Sequence, residues 1–220
     1  DCFDRADSTD LNAGGGAGGW VDTGDTGTTI GNLMSIIDGA TAGRHLQLTS
    51  YSTEYVGVTV TLPSGSGVPL LCLRHSGANA GTDCGDETGA TVGEGRVYGA
   101  YVDGGGTMWK LRLVDGVRTY MGSTALAAPD GTPRRFWARS DSNGLLASWN
   151  GTGATDADAT ITTAGQHGLA LNGSATGIRY NNFVIATTEA EAESNTCQEV
   201  AGAAAAIPRP SAVLGNPSIY

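Results

Sequence analysis

Glycine occupies 35 of the 220 positions in this chain, and the glycines fall between short apolar segments. Asn, Asp and Ser cluster at the same boundaries, where residues that adopt positive φ or bond to their own backbone favour tight turns. Charged residues make up only 15% of the chain, which is a poor profile for a helical protein. The pattern predicts many short strands joined by turns.

Alternating or continuous apolar segments mark the predicted strands, and no segment before residue 187 has helical periodicity. These strands cover 30–37, 44–49, 55–62, 68–75, 96–102, 108–114, 117–121, 135–139, 145–149, 167–171 and 178–185. Asp103-Gly104-Gly105-Gly106 and Asp115-Gly116 predict two hairpins. Between them, Trp109, Leu111 and Leu113 alternate with Met108, Lys110 and Arg112, which is typical of an antiparallel strand with one wet face. We expect residues 1–186 to form an all-β, two-sheet antiparallel jelly-roll sandwich.

The composition changes after Ala186, and residues 187–220 have too few large apolar side chains to build a core of their own. Pro208, Pro210 and Pro217 favour an extended path. Two interpretations remain open, a disordered terminus and an extended C-terminal arm that docks on a neighbouring subunit. The side chains of the arm that would dock are Ile207, Val213, Leu214, Ile219 and Tyr220.

Cysteine use suggests an oxidising compartment, because four cysteines occur without a C-x-x-C motif or a Cys/His cluster. Cys72 and Cys84 flank a loop rich in Gly, Asn and Asp, so they could pair locally and leave Cys2 with Cys197. Three connectivities are possible from sequence, and four buried thiols in a cytosolic protein are the alternative. A Cys2–Cys197 bond would place the first and last strands of the domain side by side.

The formal net charge of −10 disfavours some partners. Nucleic acid and anionic membrane surfaces need clustered Lys and Arg, whereas Lys110 is the single lysine and the arginines are scattered. No apolar run approaches the ~20 residues of a membrane-spanning helix. We expect neither a nucleic-acid partner nor a membrane partner.

Catalytic constellations are hard to find in the predicted strands. A glycosidase needs two carboxylates flanking the scissile bond, at i and i+2 on a strand that faces a cleft. Glu54, Asp103 and Asp115 lie at strand ends or in turns, and the closely spaced Glu189, Glu191 and Glu193 fall in the tail. His45, His75 and His167 have no patterned partner. The sequence therefore predicts a protein that is not an enzyme and has no catalytic residue.

Neither a metal site nor a cofactor is predicted, although loop acids offer the oxygen ligands that Ca²⁺ prefers. These acids are Asp22 and Asp25, the group Asp83, Asp86 and Glu87, and the pair Asp156 and Asp158. None has the spacing of a defined calcium loop, so solvated turns are the favoured interpretation.

One strand carries candidate ligand-binding residues. Arg135, Trp137 and Arg139 alternate with Phe136 and Ala138, which places an indole and two guanidiniums on one face. An aromatic face with planar polar groups is the chemistry that binds glycans, and Tyr98 and Tyr101 are further candidates. The alternative is that Trp137 packs on the core while the arginines pair with nearby acids.

Three segments carry a resemblance to a known family. They are Asp1-Cys2-Phe3-Asp4-Arg5-Ala6-Asp7 with Leu11 and Gly19-Trp20, the central 98–116 hairpin, and Gly168 to Leu171 with Ile178-Arg179-Tyr180-Asn181-Asn182-Phe183. Over residues 1–186 the chain resembles concanavalin A-like (laminin G-like) jelly-roll domains, which occur in phage virion proteins and secreted bacterial proteins. Asn181 stands where that family usually has an acidic residue. The resemblance implies the fold and, by analogy, glycan or surface binding.

Together these observations favour a non-enzymatic structural protein on a particle surface, most specifically a bacteriophage capsid-decoration or tail accessory protein anchored by its C-terminal arm. Its partners would be other virion or surface-layer subunits and further copies of itself, at the virion surface or outside the cell. The alternative is a carbohydrate-binding module of a secreted bacterial protein that uses Arg135, Trp137 and Arg139.

Overall fold

The computed structural model describes residues 20–23, 27–30, 33–36, 43–65, 67–76, 95–115, 117–172 and 177–194. These residues form fourteen strands and one short helix. The strands are β1 (Trp20–Thr23), β2 (Gly27–Ile30), β3 (Leu33–Ile36), β4 (Gly43–Tyr51), β5 (Tyr55–Thr61), β6 (Val68–Ser76), β7 (Arg96–Val102), β8 (Thr107–Val114), β9 (Val117–Ala125), β10 (Arg134–Asp141), β11 (Gly144–Trp149), β12 (Thr152–Asp156), β13 (Gly165–Asn172) and β14 (Arg179–Ala186). Helix α1 spans Glu189–Glu193.

Two antiparallel sheets make up the described part of the chain. The first sheet has the order β1-β4-β13-β6-β7-β8-β9, and the second has the order β12-β11-β10-β5-β14-β3-β2. Strands distant in sequence are neighbours in both sheets, as β13 between β4 and β6 shows. The predicted all-β, two-sheet antiparallel jelly-roll sandwich is therefore confirmed.

Apolar side chains of alternate positions fill the space between the sheets. From the first sheet come Leu71, Leu73, Tyr98, Ala100, Val102 and Met108, and from the second come Val56, Val58, Val60, Phe136, Ala138 and Tyr180. The period of two that marked these strands in the sequence is the period of the pleat, which directs successive side chains to opposite faces.

Turn residues form the hairpins that connect neighbouring strands of the sandwich. The two predicted hairpins are present as β7–β8 and β8–β9. A third joins β11 to β12, where Trp149 pairs with Thr152 across Asn150 and Gly151. Both turn residues have positive φ, at 48° and 80°, which a two-residue turn of this type requires and Asn-Gly supplies.

The polar face of β8 points into the sandwich instead of into water. Lys110 is only 1% exposed, and its ammonium contacts the Asp156 carboxylate and donates a hydrogen bond of 3.0 Å to the Ala154 carbonyl. Arg112, on the same face, pairs with Asp158. The expectation of a wet Lys110 face is corrected, because Asp156 at the end of β12 and Asp158 just after it neutralise the two cations.

A buried histidine makes the sandwich sensitive to acid. The His167 ring stacks on Tyr51 at 5.1 Å, and its Nδ1 accepts a hydrogen bond of 3.0 Å from the Arg74 backbone N–H. Burial lowers the pKa of His167 to about 4. The native state therefore keeps this imidazole neutral at pH values where the unfolded chain, with a pKa near 6.5, binds a proton.

We expect the free energy of unfolding to fall as the pH drops from about 6.5 towards 4, with a slope approaching 1.4 kcal/mol per pH unit. The full loss is on the order of 3 kcal/mol. Urea unfolding at several pH values measures it. The His167→Gln variant keeps an acceptor for the Arg74 N–H but does not titrate, so its slope should be flatter, and an unchanged slope would assign the acid sensitivity elsewhere.

Candidate functional site

Three aromatic side chains lie side by side on the outer face of the first sheet. Trp109 faces outward because its neighbours Met108 and Lys110 both point inward. Tyr101 on β7 is directly opposite Trp109 in the register, and Tyr120 on β9 is opposite Leu111, two residues from Trp109 along β8. We call Tyr101, Trp109 and Tyr120 the aromatic platform.

Ring geometry shows that the platform is one packed unit. The Tyr101 and Trp109 rings are stacked, with centroids 6.4 Å apart and an interplanar angle of 25°. The Trp109 and Tyr120 rings meet edge to face, with centroids 5.5 Å apart and an angle of 62°. Both arrangements are favoured by the quadrupoles of the rings. Tyr120 remains 47% exposed, so one side of the unit is open to a ligand.

Asp103 fixes the indole of the platform from the β7–β8 turn. Its Oδ1 accepts hydrogen bonds from the backbone N–H groups of Gly105 and Thr107, at 3.0 and 2.8 Å. Its Oδ2 accepts a hydrogen bond of 2.9 Å from Trp109 Nε1. The same carboxylate therefore shapes the turn and sets the indole orientation before any ligand arrives, which lowers the entropy cost of binding.

Polar groups border the open side of the platform. Arg118 donates a hydrogen bond of 3.0 Å to the Tyr120 hydroxyl, and its guanidinium carbon lies 5.8 Å from the centre of that ring. Burial, together with a hydrogen bond to Tyr120, raises the pKa of Tyr101. The Tyr101 hydroxyl therefore stays protonated in neutral solution and can donate as well as accept hydrogen bonds.

The platform can bind a ligand that presents a flat apolar face edged by hydroxyls. Aromatic rings offer dispersion and an electron-rich surface to C–H groups, while the phenol and guanidinium offer hydrogen bonds. Pyranose rings have this combination of surfaces. Tyr101 was among the sequence candidates, whereas Trp109 and Tyr120 were missed, although the alternation along β8 and the Asp115 turn place them beside Tyr101.

Tyr98, the other tyrosine candidate, is in the core. Its side chain is fully buried between the sheets, and its hydroxyl donates a hydrogen bond of 2.7 Å to Asp158. Burial is the largest cause that raises the pKa of Tyr98, and the bond to Asp158 adds to it. Residues 98 and 101 point to opposite faces of β7, so Tyr98 lies inside the sandwich and Tyr101 lies on its outer face.

The candidates Arg135, Trp137 and Arg139 share the outer face of the second sheet, as their alternation predicts. Helix α1 lies over two of them: Trp137 is 2% exposed and Arg135 is 8% exposed. Trp137 packs edge to face on Tyr55, with ring centroids 5.5 Å apart. Their role in ligand binding stays a prediction, and a ligand would reach Arg135 and Trp137 only after α1 moves.

Arg139 is engaged at every nitrogen. It donates hydrogen bonds to the Thr53 carbonyl at 3.0 Å and the Tyr55 hydroxyl at 3.1 Å, and its Nη2 lies 3.1 Å from Asp141. Its guanidinium carbon also lies 5.0 Å from the centre of the Tyr55 ring. Arg139 therefore ties the strand end to the turn before β5.

Cation ligands do not cluster within the described part of the chain, where no group of three His, Cys, Asp or Glu side chains could hold a metal. Asp156 and Asp158, one of the candidate calcium pairs, are instead the partners of Lys110 and Arg112. The candidates Asp25, Asp83, Asp86 and Glu87 lie outside the described residues, and calcium stays a prediction there.

Cys72 is buried and disulfide-bonded. The predicted pairings with Cys84 and between Cys2 and Cys197 involve residues outside the described part of the chain, so the connectivity stays a prediction. The arm residues Ile207, Val213, Leu214, Ile219 and Tyr220 also lie outside it. Among the described residues, no helix is long and apolar enough to cross a membrane.

The two sheets form a jelly-roll sandwich, and solved structures carry a similar fold. A carbohydrate-binding module from Bacillus subtilis is 14% identical, with a TM-score of 0.59 over 77% of this chain and 96% of that chain. A Bacillus subtilis protein of unknown function with a galectin-like fold is 13% identical, with a TM-score of 0.59 over 76% and 88%. A β-glucanase from Bacillus licheniformis is 12% identical, with a TM-score of 0.57 over 83% and 98%.

No protein-family model and no curated protein sequence matches the chain. At these identities the structures show the fold alone. None of these three structures points to a phage or a virion, so the particle-surface role gains no support from them.

The prediction that the chain is not an enzyme is wrong. Glucanases recur among the solved structures with a similar fold, so the fold does not exclude an enzyme. The prediction rested on the search for a carboxylate pair at alternate positions of one strand, and such a search does not cover carboxylates that come from different strands of a sheet.

Proposed function

We propose that this chain is a carbohydrate-binding jelly-roll domain that holds an oligosaccharide against the aromatic platform. The observation that carries the proposal is the packed unit of Tyr101, Trp109 and Tyr120, open at Tyr120 and oriented by Asp103. The similar fold of a carbohydrate-binding module supports it. Residues 1–186 would form the binding body, and residues 187–220 a C-terminal segment whose first part, α1, packs on that body.

The rings and the polar groups of the aromatic platform indicate the class of ligand. One sugar ring would stack on Tyr120, with hydroxyls in reach of the Arg118 guanidinium and the phenol groups. β-Glucans are the first probes, because β-glucanases share the fold. The position of the platform on a sheet face would admit an internal stretch of a chain as well as its end.

Replacing Tyr120 by alanine should weaken glycan binding about tenfold or more, because it removes the exposed ring of the platform; tenfold corresponds to about 1.4 kcal/mol. A glycan array followed by calorimetry on the best oligosaccharide measures the change. Val117→Ala is the matched control, since Val117 is on the same strand and is 65% exposed but has no ring contact. Equal affinity in Tyr120→Ala and the wild type would exclude the platform as the binding site.

The same glycans should be assayed for turnover by the release of reducing ends. Saturable binding without new reducing ends supports a binding domain, and release of reducing ends assigns the chain to the glycan hydrolases of its fold. In both cases the aromatic platform is expected to set the affinity.

A further inference from the structure

Helix α1 covers a polar site on the outer face of the second sheet. Its single turn is held at the start by a capping box, in which Thr188 bonds the Glu191 N–H and the Glu191 carboxylate bonds back. Ala192 is the buried residue of the helix and packs in a small cluster with Tyr55, Trp137 and Ala186. Helices this short are marginal in water, so the docking of α1 depends on these few contacts.

Beneath α1 lies a guanidinium that has no carboxylate partner in the described structure. Arg135 Nε donates a hydrogen bond of 2.5 Å to the Ala192 carbonyl, and Nη1 donates one of 2.7 Å to the Asn182 carbonyl. Its Nη2 is buried and has no hydrogen-bond partner among the residues that the structure describes. Burial lowers the pKa of Arg135 to about 10. A desolvated cation without a counter-ion is costly and would gain most from an anion.

The end of α1 occupies this site as a carboxylate ligand would. It offers the Ala192 carbonyl oxygen to Arg135 and one Glu193 carboxylate oxygen to the indole N–H of Trp137, at 3.3 Å. The two donors are two positions apart on β10 and face the same way. Gly57 lies beneath the Arg135 guanidinium and the Ala192 carbonyl. A Cβ at this position would collide with both groups, so the glycine leaves room for them.

We propose that Arg135 and Trp137 form a second binding site, for the carboxylate of an acidic sugar, and that α1 is its displaceable cover. A uronic acid carries a planar carboxylate that can take two hydrogen bonds from the guanidinium, including one from the buried Nη2, beside ring hydroxyls that can accept from the indole. While α1 is docked, the apparent affinity is reduced by the fraction of molecules that have the site open. The site is separate from the aromatic platform and does not depend on it.

The test compares the same substitution at two positions of α1 in the full chain. Ala192→Leu overfills the buried contact and should release α1, whereas Ala190→Leu changes an exposed position of the same helix. Thr188→Val, which removes the capping box, is a second opening variant. The probe is an oligogalacturonate, and its methyl ester is the neutral control. Amide exchange of residues 188–194 reports whether α1 is released.

In the opening variants we expect faster exchange of 188–194 and at least tenfold tighter binding of the oligogalacturonate than in wild type or Ala190→Leu. The methyl ester should not gain affinity, and Arg135→Met in the Ala192→Leu background should remove the gain while the chain stays folded. Tyr120→Ala should leave the gain intact. Faster exchange without tighter binding, equal binding of the methyl ester, or unchanged exchange in both opening variants would each overturn the proposal.

Discussion

Replacing Gly144 by alanine is expected to lower the free energy of unfolding by about 4 kcal/mol or more, a large fraction of the total stability of a typical domain. Gly144 begins β11 with φ of 134°, a region that L-residues rarely adopt. An added Cβ would also overlap the backbone carbonyl oxygen of Asp156 on β12. The chain cannot relieve this contact by moving a side chain, because both groups belong to the paired backbones of the β11–β12 ladder.

Gly131→Ala is the matched control for this substitution. Gly131 has φ of 78°, and a Cβ there would have no heavy atom within 4 Å. Its cost should be the backbone strain alone, roughly 1–2 kcal/mol. Urea unfolding of both variants separates strain from collision. Equal destabilisation of the two would mean that β12 does not lie against β11 in this register.

The second large effect is expected at Asp158, where an inward-facing carboxylate joins three partners. Its Oδ1 accepts hydrogen bonds from the Tyr98 hydroxyl at 2.7 Å and the Thr160 N–H at 2.8 Å, and its Oδ2 pairs with Arg112. Burial alone would raise the pKa of Asp158, but these hydrogen bonds and the Arg112 charge lower it overall. The carboxylate therefore stays ionised in the native protein and links the first sheet to the chain after β12.

Asp158→Asn should destabilise the protein by about 2–3 kcal/mol, because it removes the charge of a largely buried carboxylate that bonds the Tyr98 hydroxyl and pairs with Arg112. Tyr98→Phe should cost about 1–2 kcal/mol, since the Ile161 N–H then loses the acceptor it has at 3.1 Å. Asp130→Asn is the control, because the Asp130–Arg134 pair is exposed and should contribute nothing measurable. A loss at Asp158 no larger than at Asp130 would mean that the inner ion pair is hydrated.

Strand-by-strand prediction succeeded where burial imposes a pattern. The segments 55–62, 68–75 and 96–102 match β5, β6 and β7 because both faces of those strands are largely buried and their apolar runs are continuous. Strand β12, Thr152–Asp156, was missed because this edge strand carries no large apolar residue. The segment 30–37 was predicted as one strand, whereas the chain forms β2 and β3 as a hairpin.

Helix α1 escaped prediction for a physical reason. The sequence Glu189-Ala190-Glu191-Ala192-Glu193 alternates with a period of two and contains no large apolar side chain. The helix forms because Thr188 caps it and because Ala192 is small enough to dock beside Arg135. Docking depends on the surface that receives the helix, and that surface is assembled from β5, β10 and β14, which are far apart in sequence.

At the candidate site, too, the sequence predicted what a single strand determines and missed what depends on contacts between strands. Alternation correctly placed Arg135, Trp137 and Arg139 on one face, yet it could not show that α1 covers two of them. The hydrogen bond from Trp109 to Asp103 and the ring contacts across β7, β8 and β9 depend on the register of three strands. The bulge in β9 shifts that register, and no pattern in the sequence predicts the bulge.

The most direct test of glycan binding at the aromatic platform is a two-dimensional NMR titration of the indole N–H signals with the best oligosaccharide. The chain has four tryptophans, so each indole can be assigned by single substitution. We predict that a neutral oligosaccharide shifts the Trp109 indole signal progressively and to saturation, with no effect on the Trp137 signal beneath α1. Saturable binding that leaves the Trp109 signal unmoved would contradict the assignment of the platform as the sugar site.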